Sequence, residues 1–428
     1  MEPLVTPAAP WPFAQKVIFR FFVIFFFLYI LFNPNGIVPI LGNIYDLYIQ
    51  PMHSLMVWSA AHILHLSQPV TVFTNGSGDT TYDYLVLLFC IITGAVGAAL
   101  WSLIKPGTCN YDKLYYWLTV VVRFCVGITM ITYGSVKVVK LQFPDPGIIR
   151  LLQPYGNSSP MGLAWTFMGL SKGYNYFTGI AELSCGILLL FRKTTTLGAL
   201  IGLVVSANIM AINYCFDIPV KIFSTMLVVM TLFLLSKDFD RFISFFFLNR
   251  VTQPARLAPR QFKNRWKNAV LLALKFLLIT YVALSIGLSS YNALKTYHSA
   301  PKPALYGLYD VQTFIRNGDT IAPLITDTIR WRRLNIDAYG NARIYLMNDS
   351  IRTYQTINDT TVKSLMFYLQ NSSKNHMMYY SNIKPDELLL KGGFNSYSVQ
   401  IKLRKVDEKN FLLIKRGFHW INEYPFNR

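Results

Sequence analysis

Apolar residues form long, nearly unbroken blocks up to about residue 290, and beyond it they occur as short alternating stretches. The long blocks fall at 17–32, 82–103, 114–134, 174–191, 197–214, 218–235 and 269–289. Each is long enough, or nearly so, to cross a hydrocarbon core of about 30 Å as a helix, which predicts about seven membrane spans. The block at 51–66, with His53, His62 and His65, is too short to span and predicts an interfacial or partly re-entrant helix. Lys16 and Arg20 lead into the first block as in a signal peptide, but no small-residue cleavage site follows and 33–36 (Asn-Pro-Asn-Gly) reads as a turn. The first span is therefore expected to be retained.

The connections carry their own signals. Between 140 and 172 the chain is longer than a connector needs. Within it Ser159 followed by Pro160 predicts a capped, Trp-bearing helix over 161–170. Asp79 or Thr80 is placed to cap the helix that starts at Tyr82, and Asp217 to cap one with Lys221 a turn further on. The stretch 239–248 (FDRFISFFFL) predicts a helix lying in the headgroup region.

After Pro301 the pattern changes to strands at 306–315, 328–337, 342–347, 351–356, 376–380, 387–391, 397–403 and 411–415, with a helix over 361–370. Asn317-Gly318, Tyr339-Gly340, Gly392-Gly393 and the run 407–410 read as turns. These predict an antiparallel sheet, curled into a small barrel of roughly seven or eight strands. The aromatic end, 416–426, is expected to pack rather than trail, because Phe418, Trp420, Tyr424 and Phe426 would otherwise expose an apolar patch.

Composition agrees with an α-helical polytopic membrane protein joined to a C-terminal antiparallel β domain. The 428 residues are 53% hydrophobic and only 14% charged, well below the roughly 25% of soluble domains. The formal charge of +19 flanks apolar blocks, which points to membrane lipids and orientation and not to nucleic acid. The stretch 36–81 has no Lys or Arg, whereas 237–267 is densely basic, so the positive-inside rule places the N-terminus in the cytoplasm and the β domain outside. Five cysteines show neither a Cys-x-x-Cys nor a metal-ligand spacing, and no metal site is expected.

Ionisable residues inside apolar blocks are candidate site residues. Counted along their helices, Arg123 lies roughly 13 to 14 Å from the basic edge, Glu182 roughly 18 Å and Asn208 roughly 16 to 17 Å. One buried Arg123–Glu182–Asn208 cluster is expected, serving as a packing lock or as a ligand or proton site. A second group, Lys137, Asp217 and Lys221 with Tyr133 and Asn213, stands at the opposite edge, as capping and snorkelling groups or as a mouth for an anionic or quinone-like headgroup.

Several of these residues share a wider pattern. Val122-Arg123-Phe124 with Gly127, Tyr133-Gly134-x-x-Lys137, Gln142-Phe143-Pro144, Phe177-x-Gly179-x-x-Glu182-x-x-x-Gly186 and Arg192-Lys193-Thr194 together resemble the DoxX-like membrane family over about residues 114–240. The resemblance implies a four-helix core within a bacterial inner-membrane protein, with Arg123, Lys137 and Glu182 as leading site residues. For some relatives it also implies association with quinone reduction or membrane redox complexes. The extra parts are an N-terminal membrane region (1–113), a basic segment with a last span (241–290) and a β-rich region (291–428). Two function classes follow. One is a redox-linked module binding a quinone or similar amphiphile; the other is a non-catalytic membrane adaptor or assembly protein whose β domain binds a partner or lipid. The multi-span plus β layout is shared with vitamin K-dependent carboxylase-like proteins, without a motif match.

Overall fold

A computed structural model describes residues 11–33, 39–70, 76–104, 110–252, 264–297, 302–369 and 375–427. The turn at 34–36, Lys105, Cys109, Arg256, Arg260 and Lys263 lie outside the described residues. The chain forms two compact units, Met1–Phe143 with Ser159–Ala293, and Pro144–Ser158 with Leu294–Arg428.

The helices are α1 (Phe13–Phe32), α2 (Pro39–His62), α3 (Thr81–Ile104), α4 (Asp112–Val138), α5 (Ile148–Leu152), α6 (Pro160–Leu170), α7 (Lys172–Leu190), α8 (Thr195–Cys215), α9 (Lys221–Ser236), α10 (Phe239–Phe242) and α11 (Arg265–Tyr297). Among the described residues α1, α3, α4, α8 and α11 are long and apolar enough to cross a membrane, and α9 with the bent segment after it makes a sixth. That segment, α10 and a π-helical turn, breaks from α9 by 74° and exposes Phe239, Phe245, Phe246 and Phe247. α7 has 19 residues, but Lys172, Asn175 and Glu182 keep it from the apolarity of the others. The expected short helix at 51–66 is instead the second half of α2, which continues through Pro51. Its N-terminal half was invisible as helix because Asn, Tyr, Asp and Gln interrupt the apolar pattern there.

Helix starts follow side-chain chemistry. Ser159 caps α6 by accepting from the Gly162 amide at 3.1 Å, with Pro160 in the first turn. Thr80 and Asp83 form a reciprocal box at the start of α3, with bonds of 2.9 and 3.3 Å. Asp79 turns away from α3 and accepts from the Lys221 and Ile222 amides of α9 at 2.7 and 3.0 Å. A carboxylate there meets the positive end of that helix. Asp217 is thus no cap: it sits at φ 49° before α9 and pairs with Lys221 at 2.9 Å.

α4 and α7 approach until backbone meets backbone. A Cβ on Gly134 would lie 2.7 Å from the Gly179 carbonyl oxygen, and one on Gly186 would lie 2.6 Å from that of Gly127. The two glycine pairs, seven residues apart on each helix, set an antiparallel register without side chains between, as in other small-residue helix contacts.

The second unit holds β1 (Gly307–Arg316), β2 (Asp319–Thr320), β3 (Trp331–Ile336), β4 (Asn341–Leu346), β5 (Ile351–Asp359), β6 (Ser364–Tyr368), β7 (Asn375–Lys384), β8 (Glu387–Phe394) and β9 (Tyr397–Val406), followed by α12 (Leu412–Lys415). Strands β1 and β3 to β9 pair as an antiparallel meander that closes through β1–β9, with β2 a short extension. Inward residues fill the closed barrel: Trp331 meets Phe394 at 4.9 Å and Phe367 at 6.0 Å. A pocket beside Phe314, Trp331 and Phe394 measures about 10 Å³, no more than one water needs.

Three expectations fail here. The region 361–370 is mostly strand β6 and not a helix, because Leu365 and Phe367 fill the barrel while β5 and β7 supply its ladder. Conversely 411–415 is a helical turn, since the barrel is already closed by β9. Gly392 and Gly393 lie within β8, where Gly392 gives Met377 room: a Cβ would meet its carbonyl oxygen at 2.5 Å. The turn follows at Asn395, φ 54°. In the C-terminal aromatic stretch Phe418 meets Trp420 edge-on at 5.0 Å and the Arg416 guanidinium lies 4.1 Å from the Phe426 ring, while Trp420 is 90% and Tyr424 84% exposed.

Candidate functional site

The glycine register decides which charges meet. With Gly127 opposite Gly186 and Gly134 opposite Gly179, Glu182 stands level with Ile131, about 12 Å along the axis from Arg123 and about 9 Å from Lys137. Side chains on a helix slant toward its N-terminus. On these antiparallel helices Lys137 and Glu182 slant toward each other, while Arg123 slants away. Accordingly the Lys137 ammonium donates to Glu182 Oε1, with side-chain exposures of 7% and 1%. The expected Arg123–Glu182 pair is absent; Arg123 Nη1 donates to Thr195 Oγ1 at 3.3 Å.

Beside the ion pair lies a cavity of about 640 Å³, walled by α4, the Gln142–Phe143 stretch, α6, α7, α8 and α9. Its lining is mostly apolar and includes Phe143, Trp165, Met168, Phe177 and Phe223. Lys137, Glu182, Asn208, Tyr133 and Gln142 supply polar groups. That volume lies within the roughly 300–1,000 Å³ of small-molecule sites. Two acceptors next to it are unsatisfied: Glu182 Oε2 and Gln142 Oε1 are buried without a hydrogen-bond partner. A carboxylate oxygen in that state is a strong acceptor for any O–H or N–H brought into the cavity.

Short polar ties hold the walls. Lys140 donates to the Gly169 carbonyl at 2.8 Å, joining the end of α4 to α6. Asn175 Nδ2 reaches the Met168 carbonyl at 2.5 Å, joining α6 to α7. Asn213 Nδ2 reaches the Val220 carbonyl at 3.2 Å across the α8–α9 connection. The Lys137 ammonium lies 5.9 Å from the Phe143 ring, a favourable cation–π placement.

Of the sequence candidates, Lys137, Glu182 and Asn208 are brought together at the cavity. Asp217 and Lys221 form their own ion pair outside its lining, with Lys221 also 3.8 Å from Asp79. Gln142, Phe143 and Trp165 are lining residues that the candidate set lacked. Their signal was positional: the first two sit in the proline-containing loop and Trp165 in the capped helix of the same long connection. Among the described residues no group of three His, Cys, Asp or Glu could hold a metal ion; His62 stacks on Trp58 and His53 meets Tyr82 edge-on.

No family model matches the chain, and no solved structure matches it. Over 124 residues it is 39% identical to the Bacillus subtilis (strain 168) protein described as "Uncharacterized protein YwoB", a match covering 29% of this chain and 79% of that protein. The chain belongs to the YwoB family. The shared length is shorter than the helical unit, so most of the chain, whichever part it is, stands outside the YwoB match.

Proposed function

We propose that the protein is a DoxX-like protein of the bacterial inner membrane that binds a quinone or similar amphiphile in its helical core, with the N-terminus in the cytoplasm and the barrel in the periplasm. The observation that carries the reading is the apolar cavity with the buried Lys137–Glu182 pair at its wall and a free acceptor on Glu182. A quinone presents carbonyl acceptors, which the Lys137 ammonium can serve with its remaining protons; a quinol presents O–H donors, which Glu182 Oε2 can accept. The same wall therefore suits both redox states, and the apolar lining suits an isoprenoid tail. Electrons would come from a membrane redox partner.

Mass spectrometry of protein extracted gently with its native lipids tests this. A quinone near one per chain is expected, reduced several-fold by Lys137→Met or Phe177→Ala. Protein that carries none, and whose tryptophan emission a short-chain quinone does not quench, would sink the reading.

The adaptor reading keeps one specific support, the exposed aromatic end of the chain with Phe418, Trp420, Ile421 and Tyr424 uncovered. Such a patch suits a partner or a lipid surface.

A further inference from the structure

A second group of charges lies at the other end of the same helical unit, where α7 passes into α8 and α9 into α10. Arg123 is 6% exposed, its Nε is buried without an acceptor, and its Nη1 donates to Thr195 Oγ1. Arg192 opens the short turn that ends just before Thr195, Lys237 stands 4.0 Å from the Asp238 carboxylate that Thr196 also engages, and Lys275 lies over the ring of Phe191, next to Arg192. The carboxylate among them is Asp238, 2% exposed and already engaged by Arg241 at 2.7 Å, Thr196 at 2.5 Å and Lys237 at 4.0 Å. Arg241 Nε is likewise buried without an acceptor. Aromatic faces give partial relief, with the Arg123 guanidinium 5.3 Å from the Phe124 ring and the Lys275 ammonium 4.8 Å from that of Phe191. They do not neutralise charge. A guanidinium held dry, with an unused donor and further cations beside it, costs free energy that an anion of matching geometry would recover. Tetrahedral oxyanions match such a set best, because guanidinium forks and ammonium points address several oxygens at once.

We propose that Arg123, Arg192, Lys237 and Lys275 form a phosphate-binding site, separate from the cavity and independent of what fills it. The group bound is a phosphate mono- or diester. Its exposed rim is Arg192, so the ligand enters from the solvent or headgroup side of the bundle and reaches Arg123 last. Helix α11 contributes through Lys275, which gives the site a span from outside the DoxX-like stretch.

The test uses the full chain in detergent, comparing Arg192→Gln, Lys275→Gln and Arg123→Gln with the unaltered protein by native mass spectrometry and thermal unfolding. Three additions are compared: phosphatidylglycerol, phosphatidylcholine and inorganic phosphate. Retention of phosphatidylglycerol over phosphatidylcholine, insensitive to inorganic phosphate, assigns the group to a lipid headgroup. Stabilisation by inorganic phosphate alone assigns it to a soluble phosphoryl compound. In either case binding should weaken roughly fivefold per cation removed, the worth of one Lys or Arg beside an anionic surface, and Lys275→Arg should restore it. Equal retention of phosphatidylglycerol and phosphatidylcholine together with no stabilisation by inorganic phosphate overturns the proposal, as does equal binding by the variants. Arg192 is exposed, so its variant reports even if Arg123→Gln does not fold.

Discussion

Replacing Glu182 by Gln would leave the Lys137 ammonium buried with its counter-charge gone. Both side chains are more than nine-tenths covered, and removing one partner of a buried pair costs about 3–5 kcal/mol, against near neutrality when both give way to apolar residues of similar volume. The expected loss for Glu182→Gln is thus about two to three and a half powers of ten in the folded-to-unfolded ratio. Lys137→Met should cost a comparable amount. The double variant Lys137→Met with Glu182→Met should return to within about 1 kcal/mol of the parent. Reversible unfolding in mixed detergent micelles, followed by circular dichroism, gives the four free energies of the cycle. A parallel cycle with Arg123→Met and Glu182→Met should be additive, because those residues stand about 12 Å apart along the axis and independent sites add. Additivity in the Lys137 cycle, or coupling in the Arg123 one, would refute both the ion pair and the glycine register behind it.

Gly134→Leu should abolish the α4–α7 contact and folded yield, since even a Cβ would stand 2.7 Å from a carbonyl oxygen, while Gly147→Ala, with open space around it, should be silent in the same expression assay. Asp79→Ala should lower stability by about 1–2 kcal/mol, the cost of a lost helix cap, whereas Asp79→Asn should lose less; thermal unfolding separates them. In the barrel, burial pushes the Asp327 carboxyl up, but the Arg330 and Ile329 amides, with charge from Arg316 and Arg330, outweigh it and leave the folded-state value depressed. A depressed value means stabilisation present above the unfolded value of about 3.9 and lost as pH falls through the folded one. Barrel stability should therefore drop below about pH 4, and Asp327→Asn should flatten that drop; an unchanged acid limb would count against it.

The fold was legible where physics is local. Apolar runs marked the helices, Ser159-Pro160 marked α6, and Asn317-Gly318 marked a hairpin whose residues do take positive φ. Strand β6 was not legible, because Leu, Met and Phe favour either state and the neighbouring strands decide. The site was half legible. Charge in an apolar block pointed to Arg123, Lys137 and Glu182, but depth counted along separate helices chose Arg123 as the partner of Glu182, where the structure has Lys137. That choice needed the register set by Gly127, Gly134, Gly179 and Gly186, together with the slant of side chains. Of the two caps offered for α3, Thr80 is the one, and Asp79, local to α3 in sequence, instead caps a helix some 140 residues later.

The closure of the barrel fixes when it can be made. Strand β9 pairs with β8 on one side and with β1 on the other, Leu308 opposite Val406, so the first strand waits for the last. Until residues 397–406 have left the ribosome, β1 and β8 both present open edges, the state most prone to mispairing. Contacts so distant in sequence also close slowly. An individual helix, whose hydrogen bonds join residues four apart, faces no such wait, so the barrel closes only once its ninth strand is made.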